Sequence, residues 1–157
     1  MSDAATQANA KDRPNPSPDV HPPEKIARTT KKKGAKKATL DTPELLVLGL
    51  LAGVYIAFGS LFSTVALAGA DGLPHGVGQV LAGVTFSLGL ILVLVGGAEL
   101  FTGNTLLVVA WAEERAGIGP VLRSLGIAYV MNFIGSLAIV ALAFAAGVHT
   151  AGDSAVG

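Results

Sequence analysis

One apolar stretch, residues 77–111, constrains what this chain can fold into more than any other feature. As a single straight helix its 35 residues (77 to 111) would measure about 52 Å, whereas a bilayer core requires only about 20 residues. It is also too short for two crossings, because only seven residues follow Asn104 up to Trp111. The length predicts one helix that is interrupted at membrane depth by Gly96–Asn104. Non-helical backbone at that depth is tolerated only where it is buried in protein or lines a water-filled cavity, so this segment is a candidate permeation or binding element.

The charged residues are segregated along the chain rather than scattered as on a soluble domain. Of the 11 Lys and Arg residues, only Arg115 and Arg123 lie beyond residue 40. This distribution predicts a polar tail followed by a membrane domain. The proline-rich beginning of the chain cannot bury enough apolar area to offset its ordering entropy. We therefore predict three parts: a disordered basic cytoplasmic tail (1–39), a membrane domain (40–150) and a short polar end (151–157).

The basic run Lys25–Lys37 lies directly before the first apolar segment. We interpret it as a topology signal, since a short basic run beside a first membrane helix needs no further role. Binding to anionic lipid or to nucleic acid is the alternative, and we expect no nucleic-acid partner. The sequence contains no Cys, which excludes a thiolate nucleophile and a Cys-based metal site.

Two long uncharged runs, Leu45–Ala70 and Ser124–Val148, flank the interrupted stretch, so the chain is predicted to be an all-α membrane protein with three crossings. The positive-inside rule places the tail and the loop 113–123 in the cytoplasm. A full hairpin within 77–111 would send both loop arginines outside, so one broken crossing is favoured. The predicted location is the plasma (inner) membrane, with a cytoplasmic N-terminus and an outward C-terminus.

The first membrane helix has a recognisable start and a face of small residues. Asp41 or Thr42 can cap it, and proline and glutamate follow in its first turn. Gly49 and Gly53 form a GxxxG pair that Ala57 extends. Small residues at this spacing allow a second helix to approach closely.

The interrupted segment carries the chemistry of the chain. Glu99 is its only charged residue, and a charge at membrane depth is expected to face protein or a cavity together with a partner. We predict a structural role, in which the carboxylate accepts freed N–H groups or its protonated form bonds a carbonyl; a catalytic or proton-coupling role is the alternative. Thr102 and Asn104 supply polar side chains, and Gly103 supplies conformational freedom. A second half-helix beginning at Thr105 would direct its positive end into the membrane, which favours an anion; a kinked helix without a permeating ligand is the other possibility.

Three strings of residues together resemble the formate/nitrite transporter family. Residues 86–92 read Phe-Ser-Leu-Gly-Leu-Ile-Leu, residues 97–104 read Gly-Ala-Glu-Leu-Phe-Thr-Gly-Asn, and residues 132–137 read Asn-Phe-Ile-Gly-Ser-Leu. The resemblance covers about residues 40–150. It implies an aquaporin-like fold of six helices in two inverted halves, the second helix of each half being broken, and a homopentamer in which each protomer has its own pore.

The same resemblance implies roles for individual residues. Phe86 and Leu90 match the hydrophobic constriction of the family, and Thr102 matches the threonine of a flexible loop that faces a central histidine. Arg123 matches a basic position at the cytoplasmic mouth. Glu99, Gly103 and Asn104 would then support the broken helix. No cofactor, metal or catalytic residue is implied.

Two features depart from the family pattern. Ser124-Leu125 stands where an Asn-Trp pair commonly follows the basic position. In addition, the family's central histidine and a second-half lysine have no counterpart within these three predicted helices. We therefore expect the N-terminal half of a six-helix protomer, as a fragment of a longer protein or a truncated reading frame; a half that pairs with another chain is the alternative.

The predicted function is a channel or transporter for small monovalent anions such as formate or nitrite, with protons as a further partner. No enzyme activity is expected, because no pair of nucleophile and base is visible. A membrane anchor or assembly protein with a basic interaction tail is the alternative. A water or glycerol channel is disfavoured, because the chain contains no Asn-Pro-Ala string.

Overall fold

The computed structural model describes residues 25, 29, 34, 37, 39–70 and 72–156. The chain divides into two compact units, Met1–Thr30 and Lys31–Gly157. In the first unit, Lys25 and Thr29 are helical, and the Thr29 hydroxyl donates to the Lys25 carbonyl oxygen at 2.8 Å. The rest of that unit lies outside the described residues, so the disordered tail stays a prediction.

Within residues 39–70 and 72–156 the second unit contains five helices and a 3-10 turn. Three of them are long and apolar enough to cross a membrane, which confirms the all-α membrane fold; the other two are short and follow the break. The helices are α1 (Thr42–Ala68), α2 (His75–Gly96), α3 (Phe101–Asn104), α4 (Leu107–Ala112) and α5 (Ile118–Ala145), followed by a 3-10 turn (Val148–Thr150).

The start of α1 lies where the sequence predicts it, but without the predicted side-chain cap. Asp41 occupies the N-cap in an extended conformation and makes no side-chain capping bond. Its carbonyl accepts the first intrahelical bond, from the Leu45 amide at 3.0 Å. The Thr42 hydroxyl instead accepts a bond from the guanidinium of Arg123. The beginning of α1 is therefore joined to α5.

Small residues bring α1 and α5 into backbone contact. A Cβ atom added at Gly53 would lie 2.1 Å from the Asn132 carbonyl oxygen, and one added at Gly135 would lie 2.3 Å from the Leu50 carbonyl oxygen. A Cβ at Gly49 would lie 2.9 Å from the Cβ of Met131. These distances confirm the close approach that the GxxxG pair predicts.

A second glycine contact joins α1 to α2. A Cβ at Gly59 would lie 2.8 Å from the Phe86 carbonyl oxygen, and a Cβ at Gly89 would lie 2.8 Å from the Tyr55 carbonyl oxygen. Further along α2, a Cβ at Gly96 would meet the Tyr55 ring at 3.1 Å. Later residues of α2 thus lie beside earlier residues of α1, so the two helices are antiparallel and α1 is the central helix.

The path of the chain confirms a single interrupted crossing between α1 and α5. The beginnings of both helices lie together, because Arg123 bonds Thr42. Further along both helices, Ser136 donates to the Gly53 carbonyl at 3.2 Å. Hence α1 and α5 run parallel. The segment from α2 to α4 must return the chain to the side on which α1 began, which requires one net crossing rather than a hairpin.

Candidate functional site

The break begins with a left-handed glycine at the end of α2. Gly97 has φ +63° and ψ +25°, a conformation that costs other residues steric strain. The amides of Gly97 and Ala98 both donate to the Val93 carbonyl, the second at 3.0 Å, which resembles the hydrogen bonding of a Schellman cap. After an extended Leu100 the helix resumes at Phe101. The non-helical part is therefore shorter than predicted.

The predicted beginning of the second half-helix is wrong by four residues. Thr102, Gly103 and Asn104 are helical and form most of α3, instead of belonging to a non-helical loop that ends before Thr105. The reason is that Gly97 alone makes the turn, so the glycine at 103 is not needed to interrupt the helix. A second irregularity at Thr105 and Leu106 separates α3 from α4.

Neighbouring helices supply partners for the backbone of the break. The Glu99 amide donates to the Leu48 carbonyl of α1 at 3.1 Å. The side-chain amide of Asn132, near the middle of the 28-residue α5, donates to the Glu99 carbonyl at 3.1 Å and accepts from the Phe101 amide at 2.9 Å. These bonds satisfy groups that the interrupted helix leaves open, as a site with little water requires.

The Glu99 side chain has an ionic partner from the segment before α1. The residue is 3% exposed, and its Oε2 lies 3.0 Å from Lys37 Nζ. Lys37 Nζ also donates to Asn104 Oδ1 at 3.3 Å, and Asn104 Nδ2 donates to Ser124 Oγ at 3.5 Å. A chain of four polar side chains thus connects the tail segment, the break, α3 and α5. The carboxylate bonds this lysine, while the freed amides of Glu99 and Phe101 have other acceptors.

Two of the three expected pathway residues, Leu90 and Thr102, are exposed, and the third, Phe86, is half-buried. Thr102 and Asn104 are two residues apart on α3 and so point to nearly opposite sides. Asn104 is fully buried, whereas Thr102 and Gly103 are exposed. On α2, Leu90 is 43% exposed and Phe86, one turn earlier, is half-buried.

The second half-helix, whose start is the predicted anion position, begins earlier in the structure than predicted. The helix begins at Phe101, and the amide of that residue already donates to Asn132. One of the donors that could bind an anion there is therefore occupied. The exposed Thr102 remains as a polar residue at this end of α3.

Arg123 is attached to the beginning of α1. Its Nη1 donates to the Leu40 carbonyl oxygen at 3.2 Å, and its Nη2 donates to the Thr42 hydroxyl. The guanidinium is exposed. It joins the beginning of α1 to the second turn of α5, next in sequence to Ser124 of the buried polar chain.

Comparison with known proteins decides the family. The model of the formate/nitrite transporter family matches residues 24–156. The chain belongs to the formate/nitrite transporter family. The matched range covers nearly all of the second unit and includes Lys37.

Curated members of this family are similar to the chain over most of its length. The formate channel FocA of Escherichia coli K12 is 35% identical over 125 residues, which cover 80% of this chain and 44% of that protein. A probable formate transporter of Methanothermobacter thermautotrophicus is 38% identical over 112 residues, covering 69% and 41%. The formate-nitrite transporter 2 of Toxoplasma gondii is 33% identical over 116 residues, covering 67% and 23%. The chain thus spans less than half the length of these relatives. Their names, as channels and transporters, agree with the prediction that the chain is not an enzyme.

Two residues of the site were missed in the sequence. Lys37 is one of nine Lys and Arg residues before residue 40, and the only signal for its role is the lone carboxylate at membrane depth, which requires a partner. Asn132 carried a weaker signal, because a polar amide in an uncharged membrane helix requires hydrogen-bond partners. Nothing in the sequence alone says that those partners lie at the break.

Alanine substitutions at Gly97 and Gly103 form a matched pair that tests the left-handed cap at Gly97. A Cβ has open space at both Gly97 and Gly103, but only Gly97 has positive φ. We expect Gly97→Ala to destabilise the protein by about 1–2 kcal/mol through backbone strain. Gly103→Ala should be neutral or stabilising by up to about 1 kcal/mol, because alanine is the better helix former. Thermal unfolding in detergent measures both; equal effects would contradict the assignment of Gly97 as the residue that makes the break.

Proposed function

We propose that the chain is the N-terminal half of a channel or transporter for small monovalent anions such as formate or nitrite. The observation that carries the proposal is the helix interrupted inside a membrane domain whose relatives are named formate channels. Irregular backbone at membrane depth has a use where it lines a path for a ligand. Thr102 and Leu90 are exposed, which supports a path along this part of the chain.

The proposed mechanism lowers the cost of moving a charge through an apolar constriction. A positive vestibule attracts the anion, which is protonated or hydrogen-bonded near the centre. The neutral acid then passes the apolar side chains of Phe86 and Leu90, avoiding the penalty for a bare charge in hydrocarbon. Thr102 offers its hydroxyl to the passing acid. Glu99 would repel an anion, but its pairing with Lys37 directs the carboxylate away from that role.

We further propose that a second three-helix half completes the pore and that complete protomers form a pentamer in the plasma membrane, with the N-terminus cytoplasmic. The shorter span of this chain relative to its relatives supports the first part. An open groove of about 370 Å³, lined mostly by apolar side chains of α1, α5 and the residues after α5, also supports it, because side chains of a further helix could pack into it. Reading the coding sequence beyond Gly157 tests this directly: a following half with an intramembrane histidine is expected, and its absence contradicts the proposal.

Uptake into liposomes that contain the complete gene product tests the substrate class. Formate or nitrite should enter faster than into empty liposomes, and osmotic swelling should report little water or glycerol flow. A protein that conducts neither anion, nor hydrosulfide, contradicts the assignment.

Deletion of residues 1–30 distinguishes the transporter from the membrane-anchor alternative. This deletion retains Lys37, the partner of Glu99. A transporter keeps its flux without that unit, whereas an anchor loses its partner.

Replacement of Thr102 by valine should change the anion flux without preventing assembly. The side chain is exposed in this half, so removal of its hydroxyl leaves no buried donor unpaired and affects only what passes it. We expect a loss of about tenfold in formate flux, the order of one hydrogen bond. Thr64→Val is the matched control, since the Thr64 hydroxyl bonds only the Ser60 carbonyl of its own helix as described. Equal flux in the wild type and Thr102→Val would remove Thr102 from the path.

A further inference from the structure

The side chain of Asn132 joins three backbone groups on two other parts of the fold. Its Oδ1 accepts from the Phe101 amide at 2.9 Å, and its Nδ2 donates to the Glu99 carbonyl at 3.1 Å and the Gly49 carbonyl at 2.8 Å. The partners permit only one orientation of the amide, because an N–H lies on one side and two carbonyl oxygens lie on the other. All three hydrogen-bonding atoms of the side chain (one oxygen and two N–H hydrogens) are thus used.

These bonds close the two ends of the extended part of the break. The Glu99 carbonyl precedes Leu100, and the Phe101 amide follows it, so one side chain fixes the chain on both sides of this residue. Aspartate as a carboxylate could accept from Phe101 but could not donate to either carbonyl, and leucine could do neither. Asparagine is the residue of this length that meets all three requirements.

Two further contacts from α5 orient α3. The Phe101 ring packs edge-on against Tyr129, with ring centroids 5.5 Å apart and an interplanar angle of 71°. Asn104, at the other end of α3, is buried and donates to Ser124. The four-residue helix is therefore held by α5 at its first amide, its first side chain and its last side chain. This arrangement leaves Thr102 on the exposed side.

We propose that Asn132 is a positioning residue of the anion pathway, which sets where α3 begins and hence where Thr102 lies, without touching the anion. The inference rests on the proposed function. Ser136, one turn later on the same face of α5, bonds the Gly53 carbonyl at 3.2 Å and makes no described contact with the break. It therefore provides a matched control for a polar bond between α5 and α1.

The test compares Asn132→Leu with Ser136→Ala in the complete gene product, reconstituted in nanodiscs for hydrogen exchange and in liposomes for flux. Asn132→Leu should raise amide exchange of the peptides covering residues 98–104 by about tenfold, because a hydrogen-bonded amide there loses its acceptor. It should also change the ratio of formate to lactate flux by about tenfold in either direction, because Thr102 is displaced. Ser136→Ala should leave both the exchange at the break and the flux ratio unchanged.

Several outcomes would overturn the inference. If Asn132→Leu keeps both the wild-type exchange at the break and the wild-type flux ratio, Asn132 does not position the pathway. Asn132→Asp replaces Asn132→Leu in the test if the leucine variant does not fold. Aspartate retains the acceptor for the Phe101 amide but lacks the two N–H donors, so the flux ratio must still change. A wild-type protein that passes no anion overturns the proposed function together with the inference, whereas a conducting wild type with insensitive variants overturns the inference alone.

Discussion

Substitution of Gly53 by alanine is expected to separate α1 from α5 and to destabilise the protein by roughly 3 kcal/mol, at the upper end of overpacking costs. The added methyl carbon would lie 2.1 Å from the Asn132 carbonyl oxygen and 2.8 Å from its carbonyl carbon. These are backbone atoms of a helix, so no rotamer change can relieve the overlap. The helices must move apart, and the bonds from Asn132 to Gly49 and from Ser136 to Gly53 lengthen with them. Thermal unfolding in detergent measures the loss.

Gly126→Ala is the matched control for this prediction. Gly126 also lies in a membrane-spanning helix, but a Cβ there would meet nothing within 4 Å. That substitution should be neutral or slightly stabilising, because alanine favours helix over glycine. Equal midpoints for wild type and Gly53→Ala would contradict the helix contact itself, since a contact at this distance cannot accept a methyl group.

The close helix contact on one face of α1 was predictable, because it leaves a local pattern in the sequence. Gly49 and Gly53 are one turn apart, and this spacing says that one face admits a close neighbour. The pattern does not say which helix that neighbour is. The contact of α1 with α2 was not predicted, because Gly59 and Gly89 are single glycines, each of which acquires meaning only when the other lies opposite. Apolar length, by contrast, was sufficient for the three spans and for the interruption.

The break was predicted in place but not in detail. Several glycines and polar residues between 96 and 104 could each interrupt a helix, and propensity alone does not rank them. In the structure Gly97 adopts positive φ and ends the first helix. The helix resumes at Phe101 because Asn132, on a distant segment, accepts a hydrogen bond from the Phe101 amide. A contact between residues 31 positions apart leaves no local signal. For the same reason Arg123 was expected at a cytoplasmic mouth, while its bonds to Leu40 and Thr42 were not foreseen.

The partner of Glu99 illustrates the same limit. Burial of a lone carboxylate at membrane depth predicts that a compensating group exists, and the tail offers many cations. The positions of these cations in the sequence do not show which of them pairs with Glu99. The selection follows from the fold, because Lys37 lies five residues before α1 and the break packs beside the second turn of α1, where the Glu99 amide meets Leu48. That lysine thus belongs with the membrane unit, Lys31–Gly157.

Removal of the Lys37 ammonium should therefore destabilise the protein far more than removal of another tail lysine. Lys37→Met leaves the Glu99 carboxylate, 3% exposed, without its cation. Leaving one member of a buried pair uncompensated costs about 3–5 kcal/mol, and the 35% exposure of the Lys37 side chain places the expected loss at the lower end. Lys25→Met is the control, because Lys25 is exposed and lies in the first unit. Unfolding midpoints in detergent compare the two.

A double substitution distinguishes loss of the pair from loss of packing. The double variant Lys37→Met with Glu99→Gln has no charge at positions 37 and 99, and a glutamine can still hydrogen-bond at position 99. We expect the double variant to recover most of the stability that Lys37→Met loses, because replacing both members of a buried pair is often nearly neutral. The coupling free energy from the four proteins of this cycle should be at least about 1 kcal/mol, as is found for residues in direct contact. Additive effects of the two substitutions would mean that the 3.0 Å contact between Lys37 and Glu99 contributes no energy, and the buried carboxylate would then need another source of stabilisation.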